Sequence, residues 1–196
     1  MRTLHFISHP DVVIDPAVPI TRWPLSARGR DRMAAVLALP WVAGLSSIYC
    51  STEQKAIDGA AILAAHCGLG FTQDPALGEN DRSATGYLPR AEFEAVADVF
   101  FAQPGASVRG WETAIDAQAR ITAAVASIAA SDTTAGSIAI VSHGAVGTLL
   151  YCHLTGQPIA RRWDQPANGG GNYFTVQWGV QPRALSWWQP VDGVDH

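Results

Sequence analysis

Charge is scarce in this chain. Asp, Glu, Lys and Arg make up 15% of its 196 residues against 48% hydrophobic ones, a balance that excludes disorder over most of the length. What charge there is leans acidic, with a net of −4 and a pI near 5.8. An extended nucleic-acid surface is therefore not expected, although a local basic pocket for a small anion is allowed. Cysteine is also sparse. Cys50, Cys67 and Cys152 are odd in number and form no Cys-x-x-Cys pair, which excludes a disulfide framework and points to reduced, buried thiols. With no cysteine pair and no carboxylate cluster, neither a metal nor another cofactor is expected. No Gly-x-Ser-x-Gly elbow is present, so the usual serine-hydrolase site is excluded.

Long apolar runs are missing as well. No segment approaches the ~20 residues of a membrane-spanning helix. Residues 1–9 carry one arginine and an apolar stretch too short for a secretory signal, so no membrane partner and a cytoplasmic location are the expectations.

What is present is an alternation of strand-like and helix-like segments. Residues 3–8 are mainly apolar and suit a buried parallel strand. Residues 10–25 contain Pro10, Pro16, Pro19 and Pro24 and form a long loop. Ser26 caps a predicted helix that runs to about Leu39 and stops at Pro40. A short strand, Ser46 to Cys50, precedes a helix from Thr52 to about His66, closed by Gly68. Residues 70–89 show no sustained period and read as an irregular excursion. Helices follow at Arg90–Ala102 and Thr113–Ala130, then a strand over 138–142 and a helix from Gly144 to about Leu154. Beyond the flexible Gly169–Gly171 turn, Tyr173–Trp178 and Ala184–Trp188 read as two strands of a hairpin. The expected fold class is α/β, three-layered, with a mostly parallel central sheet and helices on both faces, in one domain over 1–196. Ligands of such folds sit outside the carboxyl ends of the strands.

Two of these strands end alike, in Ser8-His9 and Ser142-His143. If they are parallel neighbours, two imidazoles share one sheet edge, where one can attack phosphorus and the other can stabilise the transferring group. Several segments then resemble the histidine phosphatase superfamily, the phosphoglycerate-mutase-like group. They are the strand ending in His9, Pro24-Leu25-Ser26-Ala27-Arg28-Gly29, Cys50-Ser51-Thr52-Glu53-Gln54-Lys55-Ala56, Leu77-Gly78-Glu79 and Val141-Ser142-His143-Gly144. The resemblance implies a metal-independent phosphatase that hydrolyses a small-molecule phosphate ester. His9 would carry a phosphohistidine, Glu79 would be general acid and base, and His143 would stabilise the phosphoryl group. Asp81 and Glu53 are rivals for the acid. A phosphoglycerate-type mutase fits less well, because residues 70–110 offer few insertions and few basic side chains.

The chain also departs from that family. Ser8-His9-Pro10 stands in place of the usual arginine-histidine-glycine, and Lys55 in place of a second clamping arginine; Asp15 replaces a common asparagine. A lysine is a point charge without the bidentate fork of arginine. Ser8 and Lys55 are expected in the phosphate pocket, completed by Arg22 or Arg82. The alternative is a degenerate member that binds a phosphorylated or other small anionic ligand without turnover. Phe71, Tyr87, Phe93 and Trp111 are available for an apolar wall, and the Trp187-Trp188 pair, if exposed, would suit a homodimer interface.

Overall fold

The computed structural model describes residues 1–193. Its strands are β1 (Arg2–Ser8), β2 (Leu45–Cys50), β3 (Thr72–Gln73), β4 (Ser137–Ser142), β5 (Asn172–Trp178), β6 (Arg183–Ala184) and β7 (Gln189–Pro190). They form one sheet in the order β3-β2-β4-β1-β5-β6, with β7 also paired to β5. From β3 to β1 all pairs are parallel, whereas β5 is antiparallel to β1, β6 and β7. The sheet is thus mixed. Its parallel half is built with helical crossovers, which parallel neighbours require, and its antiparallel edge with short returns.

The helices are α1 (Ala27–Ala35), α2 (Gln54–Cys67), α3 (Arg90–Ala102), α4 (Ala114–Ser131) and α5 (Gly144–Thr155). Successive strand residues point to opposite faces, and both faces are covered. Leu4, Phe6, Ile138 and Ile140 pack with Phe100, Ile121, Val125 and Leu149 of α3, α4 and α5. Ile7, Ala139 and Val141 pack with Met33, Ala60 and Leu63 of α1 and α2. This double burial explains why β1 and β4 read as continuous apolar runs.

Ser26 caps α1 as expected, its Oγ accepting from Gly29 N at 2.9 Å. Gly68 closes α2 in the left-handed conformation, φ 64°. Several elements differ from expectation, β3 among them, which lies inside the excursion 70–89. The α-helix from Ser26 ends at Ala35 and continues only as 3₁₀ turns, Val36–Ala38 and Pro40–Gly44. Helix α2 starts at Gln54 rather than Thr52. The predicted strand Ala184–Trp188 is not formed; β6 and β7 are two residues each, and the chain between them turns Trp188 into the core. There Trp188 packs edge-on to Phe6 and Phe174, a burial that outweighs strand propensity. Trp187 alone of that pair is exposed. Among the described residues no helix is long and apolar enough to cross a membrane.

Candidate active site

Strands β1 and β4 are adjacent, parallel and in register, with Ser8 opposite Ser142. The next residue on each is histidine, so pairing alone brings the imidazoles together. The His9 amide donates to the Ser142 carbonyl at 3.0 Å. The rings lie 5.2 Å apart between centroids and 73° between planes.

The tautomer of His9 follows from one contact. Its Nδ1 lies 2.8 Å from the Pro10 carbonyl, which can only accept, so Nδ1 carries the proton and Nε2 keeps its lone pair. Burial, with Lys55 nearby, lowers the His9 pKa to about 4 and keeps the ring neutral. Its backbone is held by the glycine run. Gly171 N donates to the His9 carbonyl at 3.2 Å, and at Gly170 (φ 78°) a Cβ would overlap that same carbonyl. The Gly169–Gly171 segment, expected as a flexible turn, is therefore a fitted support for His9.

His143 is fully buried. Its Nε2 lies 2.7 Å from Ser51 Oγ and 3.3 Å from Glu53 Oε1, while Nδ1 has no hydrogen-bond partner among the described residues. Burial drives its pKa well below the usual histidine value, against the pull of Glu53.

Glu53 connects the site. Its Oε1 accepts from the Glu79 amide at 2.9 Å, and its Oε2 accepts from Lys55 Nζ at 2.5 Å. Burial alone would raise its pKa, but His143, Lys55 and these hydrogen bonds hold it at about 2. A carboxylate so committed is poorly suited to give up protons near neutral pH. Asp81, the other rival, is exposed, and hydrogen bonds from Ser83 lower its pKa.

Glu79 has the opposite character. It stands at the start of α5, its carboxylate accepting from Val146 N at 3.1 Å and Ala145 N at 3.3 Å. Burial raises its pKa despite these bonds and the nearby Arg82. It lines two cavities, of about 460 and 770 Å³. The smaller also presents Ile20, Thr52, Glu53 and Arg82; the larger, Arg28, Phe93, Gly144 and Gln165.

The expected anion-binding residues fare differently. Lys55 reaches the site, but its ammonium is buried between Glu53 and the Ile20 carbonyl, 2.9 Å away. Ser8 is buried and bonded to Gln165 Oε1 at 2.5 Å and to the backbone of Asn172. Arg82 is half-buried, stacks over Phe93 at 4.9 Å, and its charge reaches His9, His143 and Glu79. Arg22 is exposed in the turn Ile20–Arg22. Asp15 is exposed too, and its carboxylate accepts from Ala17 N within its own loop. Of the proposed apolar wall only Phe93 lines a cavity described above; Trp111 is core, Phe71 packs beside α2, and Tyr87 lies on Trp23. Among the described residues no group of three or more His, Cys, Asp or Glu is placed to hold a metal. Ser51 belongs to the 50–56 segment, but the sequence assigns it no role, and Gln165 is not expected in the site from sequence. Ser51 follows a strand end as Ser8 and Ser142 end theirs, whereas nothing local marks Gln165.

Paired histidines at the carboxyl edge of a mixed, helix-covered sheet are the hallmark of one class of protein. The chain belongs to the histidine phosphatase superfamily (branch 1), whose sequence model matches residues 19–188, a stretch beginning after His9. Solved structures agree on the fold. A mycobacterial glucosyl-3-phosphoglycerate phosphatase with inorganic phosphate superposes with a TM-score of 0.77 at 23% identity, covering 98% of this chain and 99% of that one. Bacillus stearothermophilus YhfR gives 0.79 at 21% identity, with 100% and 98% covered. A phosphoserine phosphatase from Entamoeba histolytica, in complex with phosphoserine, gives 0.79 at 14%, with 99% and 100% covered. No curated protein matches the chain significantly.

Proposed function

We propose that the protein hydrolyses a small phosphate monoester through a phosphohistidine on His9. The observation that carries this is the Pro10 carbonyl on His9 Nδ1, which leaves Nε2 unprotonated and available beside His143. In the first step Nε2 bonds to phosphorus as the phosphorus–oxygen bond to the alcohol breaks, and Glu79 gives its proton to the departing oxygen. In the second, water attacks phosphorus, its proton passes to the Glu79 carboxylate, and the nitrogen–phosphorus bond breaks to release phosphate.

His143 supplies positive charge to the transferring phosphoryl group. Its Nε2 faces the Glu53 carboxylate, and Nδ1 is the buried nitrogen left without a protein partner. As a phosphate dianion enters, Nδ1 takes up a proton from solvent to give an imidazolium whose charge Glu53 offsets, and Nδ1 donates to a phosphoryl oxygen. Arg82 supplies the outer positive charge and Lys55 the buried one. In His9→Ala the protein should lose turnover of an aryl phosphate, and alkaline denaturation of the wild type after brief exposure to labelled substrate should trap label on His9. Turnover that survives His9→Ala would remove this mechanism.

One feature favours the second reading, a ligand-binding member without turnover: Lys55 is balanced by Glu53, and Ser8 supplies no charge. That reading predicts saturable phosphate binding by calorimetry and no hydrolysis across a panel of aryl and alkyl phosphates.

A further inference from the structure

Glu79 lies in a stretch without regular structure, after a 3₁₀ turn at Pro75–Leu77, yet its carboxylate must be placed to a fraction of an ångström to protonate a leaving group. Three of the bonds that hold the stretch come from one side chain of the helix packed beside it. Arg120, on α4, is bonded through all five of its N–H groups. Nη1 donates to the carbonyls of Ala76 and Gly78, both at 2.9 Å, and Nη2 to the carbonyl of Glu79 at 3.1 Å. The remaining two go to Glu112, Nε to Oε1 at 3.0 Å and Nη2 to Oε2 at 2.8 Å. Glu112 in turn accepts from the Asp81 amide at 3.0 Å, and its own amide donates to the Asp81 carbonyl. Residues 76–81 are thus gripped on both sides of Glu79. Ser142 Oγ adds a bond to the Leu77 carbonyl at 2.7 Å, tying the same stretch to the strand that ends in His143.

We propose that Arg120, oriented by Glu112, is the positioning residue for Glu79: it fixes the acid's backbone so that its carboxyl reaches the leaving oxygen. This rests on Glu79 being the general acid. Three carbonyls converging on one planar fork cannot be served by lysine, whose three donors radiate from one atom. At Glu79 the guanidinium bonds the backbone carbonyl and not the carboxylate, so its loss should disturb the aim of the acid rather than the attack by His9. That distinction can be measured, because an ester of an acidic phenol leaves without a proton and an alkyl ester does not.

The experiment compares kcat/KM for 2,4-dinitrophenyl phosphate and for glycerol phosphate in wild type, Glu79→Gln, Arg120→Lys and Glu112→Gln. Glu79→Gln should lose about 10²–10⁴-fold on glycerol phosphate and far less on the dinitrophenyl ester. Arg120→Lys should show the same selective loss at roughly ten- to a hundredfold, with thermal unfolding confirming a folded protein. Glu112→Gln, which keeps the guanidinium but removes its bidentate partner, should lose selectively by a smaller factor, and it carries the test if Arg120→Lys does not fold. Equal losses on both esters, or none, in the folded variants while Glu79→Gln remains selective would overturn the role of Arg120 alone. A non-selective Glu79→Gln, or a wild type that turns over neither ester, would overturn the acid assignment and this inference with it.

Discussion

At the scale of single residues, the site is a problem of charge. Of the two side chains expected to bind the phosphate from the sequence, Ser8 is uncharged and tied to Gln165, and the Lys55 ammonium is spent on Glu53. Arg82 is the remaining cation whose charge reaches both imidazoles and Glu79. A charged hydrogen bond is worth about 1.5–3 kcal/mol, so Arg82→Ala should lower kcat/KM by roughly ten- to a hundredfold. Arg22→Ala should leave it unchanged. Steady-state kinetics on one aryl phosphate checks both, and the reverse ranking would discard Arg82 as the clamp. The pH profile expected of the proposed phosphohistidine mechanism follows from the same environments. His9 must be neutral, and burial puts its pKa at about 4, so kcat/KM should fall on the acid side only as the pH approaches that value. Glu79 must be protonated in the first step, and burial raises its pKa, so the alkaline limb should lie above the ordinary carboxylate range. Glu79→Gln should abolish that limb, which separates it from the ionisation of the substrate itself.

At the scale of elements, the strands that carry the histidines were legible because both faces of β1 and β4 are buried, giving unbroken apolar runs. Helices α3 and α4 were legible to within a residue or two, since their ends carry Pro89, Thr113 and Asp132. The last hairpin was legible only in its first strand, β5, found within one residue of expectation. Its return strand β6 is two residues long, and the fate of Trp188 depends on packing against Phe6 and Phe174, which no local pattern reports. Gly147 marks that contact from the other side: a Cβ there would stand 2.6 Å from both Phe6 and Trp188. Overpacking of this kind costs about 1–3 kcal/mol. Gly147→Ala should therefore lower the urea midpoint without changing the slope of the transition, whereas an unchanged midpoint would show that the Trp188 ring can yield.

At the scale of the whole molecule, stability should depend on pH through its histidines. Burial lowers His5 and His9 from 6.5 to about 4, and drives His143 well below the usual histidine value too. The unfolded chain then binds more protons than the folded one between those values, so stability is complete above about 6.5 and is lost as the pH falls toward 4. Carboxylates held low, Glu53 at about 2 and Asp132 below its usual value, lose their contribution only at still lower pH. Thermal unfolding from pH 8 to 4.5 should show a decline that starts near 6.5; a flat curve down to 4.5 would mean that the rings find compensating partners once charged. What the amino-acid order determined by itself was the layered α/β plan and the two Ser-His strand ends, because periodicity and short motifs encode local structure; it left three carboxylates, Glu79, Asp81 and Glu53, as candidates for the acid. What only tertiary structure decided was who neutralises whom. Lys55 with Glu53, Ser8 with Gln165, and Arg120 with the carbonyls around Glu79 join residues whose partnership rests on the approach of separate elements or on a turn's final geometry, and Coulomb and hydrogen-bond energies are settled by those distances.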